Sequence, residues 1–172
     1  MSKVSSHLIS PAALLAIVAT LSPVAPRLFA SETSARAAAP VSAKAAAILA
    51  LTNAERQRAG LPALEASAEL TRAAQLQAEQ MSTAGQMGHD LRGVAYPHPA
   101  DRLKAVSYPW QAYAENVAMG QKSDAEVMAA WMKSSGHRHN ILNPRYTQLG
   151  VGYAVDQAGR PYYAQVFAQP RR

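Results

Sequence analysis

The sequence predicts an α+β fold, and three observations predict it. Helical periodicity dominates the first two thirds of the chain, two alternating strand-like runs close it, and no βαβ alternation lies between them. At 172 residues the chain is long enough to bury a single core, and with no cysteine it does so without disulfides and without thiol chemistry.

The N-terminal stretch reads as a segment outside that fold. Lys3 and His7 precede an apolar run over residues 8–21 that is polar only at Ser10 and Thr20. A membrane span needs about 20 apolar residues, and this run is shorter and carries Pro11, so residues 1–30 read as a signal peptide with cleavage after Ala30 or Ala37. Retention by an uncleaved N-terminal anchor is the alternative. Residues 31–43, rich in Ala, Ser and Pro, read as a linker, which leaves 44–172 as the domain.

Charge narrows the partners. Removing residues 1–40 takes out three basic residues and one acidic one, so the formal charge falls from +6 to +4. The remaining cations are scattered, with no basic stripe interleaved with aromatics, so the sequence gives no sign of nucleic-acid binding.

The elements follow in order. Ile48, Leu51 and Ala54 recur at helical spacing, and Gly60 followed by Leu61-Pro62 ends that helix. Ser67 caps a second helix whose stripe is Leu70, Ala73, Ala74, Gln77 and Met81, closing near Gly85. Residues 85–99 are loop-like and carry His89 and His98, with a short helix from Ala100. Residues 113–119 read as a strand. Ser123 and Glu126 form a capping box that opens a helix through Val127, Met128 and Trp131, with Gly136 as its terminator. The alternating runs Leu149, Val151, Tyr153, Val155 and Tyr163, Gln165, Phe167 then form a hairpin around residues 156–159.

Common catalytic signatures are missing: there is no H-E-x-x-H, G-x-S-x-G, Walker loop or dinucleotide fingerprint. Three polar stretches remain. His89 sits in a glycine-flanked loop. Glu115 and Asn116 interrupt an apolar strand, and a carboxylate there needs a partner. Residues 131–144, from Trp131 to Pro144, are the densest polar run, in which Trp131 and Ser134 share a helix face and a left-handed Gly136 would swing His137 back toward it.

At these residues the chain resembles the CAP superfamily, that of cysteine-rich secretory proteins, antigen five and pathogenesis-related proteins, in its bacterial cysteine-free branch. The landmarks are Leu51-Thr52-Asn53-Ala54-Glu55-Arg56, Gly60-Leu61-Pro62-Ala63-Leu64, His89, Ala114-Glu115-Asn116-Val117, Trp131 to Pro144, and Leu149-Gly150-Val151-Gly152. The resemblance implies a three-layer α-β-α sandwich with a central antiparallel sheet, secretion, and a cleft of two histidines and two glutamates. Position by position these are His89, Glu115 and His137, but the second glutamate, three residues after the tryptophan, is Ser134 here.

Two imidazoles and one carboxylate have the ligand types and count of an open zinc site, so His89, His137 and Glu115 are the candidate ligands of Zn or another divalent metal. The lost glutamate removes a candidate general base. The favoured function is therefore a secreted binding module that takes an extracellular or cell-envelope ligand, whether lipid, wall polymer or protein. The alternative is a metal-assisted or serine-dependent hydrolase of peptides or esters, with Glu115 and Ser134 as its candidate catalytic residues.

Overall fold

Small residues on one face of a strand decide how this molecule packs. A computed structural model of the chain describes residues 30–171. The signal-peptide expectation for residues 1–29 lies outside the described residues.

Among the described residues five helices and four strands succeed one another as α1 (Ala30–Arg58), β1 (Glu65–Ala66), α2 (Ala68–Ala84), α3 (Pro99–Ala105), β2 (Trp110–Met119), α4 (Asp124–Lys133), α5 (Ser135–Ile141), β3 (Gln148–Val155) and β4 (Pro161–Pro170). The sheet order is β1-β3-β4-β2. The hairpin β3–β4 and the pair β2–β4 are antiparallel, whereas the two-residue β1 runs parallel to β3. The central sheet is thus antiparallel as expected, with one short parallel edge strand that no alternation of two residues could signal.

β4 is buried on both faces, and its side chains sort the molecule into layers. Tyr162, Ala164, Val166 and Ala168 join Leu70, Ala73, Ala74, Met81, Leu91 and Leu103 in a core under α2 and α3. Tyr163 and Phe167 join Ile48, Val127, Met128, Trp131 and Ile141 in a second core under α1, α4 and α5. This is the three-layer α-β-α sandwich. Gly150 and Gly152 of β3 set its spacing: a Cβ at Gly150 would stand 2.0 Å from the Leu70 carbonyl carbon, and one at Gly152 would stand 2.2 Å from that of Ala74. The α2 backbone lies directly on β3 because those two positions carry no side chain.

The predicted caps are largely in place. The Ser67 hydroxyl accepts from Leu70 N–H, and Gly85 closes α2 in the left-handed region at φ 63. The Ser123 hydroxyl accepts from Glu126 N–H, but the Glu126 carboxylate accepts from Lys122 N–H one residue farther back, so the box is offset.

α1 begins at Ala30 and so runs through residues 31–43, whose many alanines have the strongest helix propensity of any residue. One expectation changes. Gly136 does not end α4: Ser134, extended at φ −87 and ψ 124, is the break, and Gly136 lies inside α5. His137 is therefore presented by a short helix and not by a left-handed turn.

Candidate cleft at the free edge of the sheet

β2 is an edge strand, and the sequence-predicted residues gather on either side of it. Glu115 points to the α2–α3 face, the same face as Val117 two residues on, while Asn116 points to the α5 face. His89 reaches Glu115 from the first side, and His137 sits on the second.

The carboxylate of Glu115 is only 2% exposed, and it is paired. Arg102, 1% exposed, donates from Nη2 to both Glu115 oxygens at 3.1 and 2.9 Å. His89 Nδ1 lies 3.1 Å from Oε1 while its ring remains 51% exposed. The partner that a carboxylate in an apolar strand required is thus a buried arginine, with a histidine above it. That hydrogen bond to Glu115 raises the His89 imidazole above its usual value, against the opposing effect of burial. It also orients the ring, and Nε2 has no partner among the described residues.

Arg102 and two glutamines hold the loop that carries His89. Arg102 donates to the carbonyls of Tyr96 at 2.9 Å and His89 at 3.0 Å. Gln77, inside the apolar stripe of α2, donates to the Gly88 carbonyl, and Gln80 exchanges two hydrogen bonds with the Tyr96 backbone. Sequence reading missed Arg102 entirely. The signal for Gln77 was visible as a polar residue at a core position of a helical stripe.

On the other face a buried amide chain places His137. Thr52 Oγ1 accepts from Gln165 Nε2 at 2.8 Å, Asn116 Nδ2 donates to Gln165 Oε1 at 3.1 Å and to the His137 carbonyl at 3.2 Å, and Asn140 Nδ2 donates to Asn116 Oδ1 at 2.9 Å. Arg56 ties the exit of α5 to α1 through the carbonyls of Ile141 and Asn143. Burial lowers the His137 imidazole, and the positive charge of His89 lowers it further.

Ser134 stands apart from this network. It is the joint between α4 and α5, makes no side-chain cap bond, and among the described residues its hydroxyl bonds neither histidine nor Glu115. Among the described residues no three His, Cys, Asp or Glu side chains converge in a metal-holding group either. His98, the other histidine of that loop, is exposed and lies 3.0 Å from Asp90.

The sequence matches the profile of the Cysteine-rich secretory protein family over residues 49–167. It is 40% identical over 123 residues to the uncharacterized protein YkwD of Bacillus subtilis, covering 72% of this chain and 47% of that one. It is 35% identical over 120 residues to the uncharacterized membrane protein YlbC of the same organism, covering 70% and 33%. The chain thus spans half or less of the length of these curated relatives. Among solved structures it is similar to an extracellular SCP-domain protein of Bacillus anthracis, with a TM-score of 0.69 at 26% identity over 87% of this chain and 45% of that one. It shares its fold with an outer surface protein of Borrelia burgdorferi, with a TM-score of 0.65 at 19% identity over 72% and 90%. With the profile matched over most of its length and the α-β-α sandwich in place, this chain belongs to the CAP, or cysteine-rich secretory protein, family.

Proposed function

We propose that the domain works outside the cytoplasm as a binding module, taking an extracellular or envelope ligand (lipid, wall polymer or protein) in the cleft between His89 and His137. One observation carries this reading: both oxygens of Glu115 are engaged by Arg102 and one also by His89, so the carboxylate serves to hold the His89 ring, while Asn116 places His137 from the other face. Export is supported by the apolar run over residues 8–21 and by the extracellular relative from Bacillus anthracis. The membrane relative supports the alternative of an N-terminal anchor; no helix among the described residues is long and apolar enough to cross a membrane.

A divalent metal held by His89, His137 and Glu115 fits this donor set poorly. Glu115 would have to leave Arg102, and stripping one partner from a buried ion pair costs about 3–5 kcal/mol. Calorimetric titration with zinc at neutral pH is expected to give no tight stoichiometric site; one would overturn this part of the reading.

The hydrolase reading retains one favourable observation, the opposed shifts of the two imidazoles, since a raised and a lowered group make an acid and a base. It lacks a nucleophile bonded to either ring. The deciding experiment incubates the domain with wall polymer, lipid vesicles, and peptide and ester libraries beside His89→Ala and His137→Ala. Retention without product, lost in both variants, is the expected result; turnover lost in both would establish the hydrolase instead.

A further inference from the structure

The free edge of β2 has been treated unequally: its carbonyls are capped and its amides are not. Gly120 N–H donates to the Pro161 carbonyl at 2.8 Å, and the β2–β4 register continues unshifted from Met119 back to Ala112. In an antiparallel ladder the bonded pairs alternate, so residues 114, 116 and 118 bond β4, and the N–H and C=O groups of Tyr113, Glu115 and Val117 point away from it. Among the described residues no further strand lies beyond β2. All three outward carbonyls have donors from the segment 131–146: Tyr146 Oη to Tyr113 at 3.2 Å, Asn140 Nδ2 to Glu115 at 3.4 Å, and Trp131 Nε1 to Val117 at 3.2 Å.

The outward N–H groups of Glu115 and Val117 have no partner among the described residues. Both residues are otherwise buried, 7% and 4% exposed, so their outward N–H groups are the donors that this edge offers to an acceptor from outside the domain.

From this asymmetry we infer that the β2 edge between His89 and His137 is a carboxylate-binding site, in which the Glu115 N–H and the Nε2–H of a protonated His89, whose Nδ1–H is held by Glu115, donate to the ligand's oxygens. The inference rests on the binding reading above and names the chemistry of its ligand. A ligand rich in acceptors and poor in donors suits the edge, because its carbonyls are already occupied. An added peptide strand suits it less, since its N–H groups would meet the carbonyls that Tyr146, Asn140 and Trp131 have taken. The Glu115 carboxylate does not repel such a ligand as a bare charge would, because Arg102 neutralises it from below. Val117 N–H, about 7 Å along the edge at the rise of a strand, takes a second acceptor of the same ligand.

The test follows amide resonances of the intact domain by two-dimensional NMR during titration with acetate, with N-acetyl-alanyl-alanine, and with the carboxamide of that dipeptide. Saturable shifts at the Glu115 amide with either carboxylate, weakened about tenfold in His89→Ala as expected for loss of a charge-assisted hydrogen bond, are the expected result. Response to both carboxylates assigns recognition to the carboxylate alone, and response only to the dipeptide assigns it to a peptide-borne one. Saturable dipeptide shifts at Val117 as well place its second acceptor there. Equal binding of the carboxamide, or no shift at Glu115 with any probe, overturns the inference. Failure to retain any envelope material alongside clear carboxylate shifts would sink the proposed function and leave this site standing. Retention with a silent Glu115 amide would do the opposite.

Discussion

A guanidinium taken out of water must recover its hydration from fixed acceptors, and Arg102 does so at Nη1 and Nη2 from Glu115 and from the carbonyls of the His89 loop, with only Nε unpartnered among the described residues. That makes one side chain responsible for both the charge balance of the cleft and the position of its exposed histidine. Arg102→Ala is expected to destabilise the fold by about 3–5 kcal/mol, read from urea unfolding, because it leaves Glu115 buried and unpaired. Arg102→Met combined with Glu115→Leu should restore most of that loss, since two apolar groups replace a pair and no charge is stranded. Recovery in the double variant without ligand binding would separate the structural role of the pair from its effect on His89. A double variant as unstable as the single one would refute the argument.

At the scale of elements, the close approach of α2 to β3 is the sharpest constraint. Gly150→Ala and Gly152→Ala place a Cβ against helix backbone, which cannot rotate aside as a side chain can, and each should cost about 1–3 kcal/mol or more. A denaturation midpoint unchanged in either variant would contradict the packing described. α5 is held more gently, through amides: Asn116→Ala breaks the chain from Thr52 to the His137 carbonyl and leaves the Gln165 amide oxygen unmatched, at about 1–3 kcal/mol, and it should weaken ligand binding in proportion. The sequence made many of these elements legible. Ser67, Gly85 and the alternation from Leu149 to Phe167 state their own geometry, because caps and strand periods are local. Gly136 misled because glycine tolerates a helix interior as well as a turn, and the actual break at Ser134 has no compositional mark. β1 and Arg102 were illegible for a different reason: a two-residue strand has no period, and an arginine in a short helix becomes buried only when a sheet 13 residues later supplies Glu115. Resemblance located His89, Glu115 and His137, but it could not show that the carboxylate is already engaged.

For the whole molecule, the proposed cleft would join the two layers at the sheet edge, and its pH behaviour should reflect that. His89, raised in the folded state, contributes stability that is full below its ordinary value of 6.5 and is lost as pH rises through the raised one. His137, lowered by burial and by His89, acts in the other sense: its contribution is full above 6.5 and is lost as pH falls through the lowered value. The two windows adjoin at 6.5, so these two residues should make stability rise with pH below it, through His137, and fall above it, through His89, with a maximum between. In His89→Ala the fall above 6.5 should vanish, and in His137→Ala the rise below it, which thermal unfolding across a pH series would read. The most direct measurement of the central claim is the titration of the two imidazoles by NMR in the wild type and in His89→Ala. A cleft that joins the two layers predicts His89 above 6.5, His137 below it, and an upward move of His137 once the charge of His89 is removed. A His137 titration that His89→Ala leaves unchanged would show that the two histidines do not share a site.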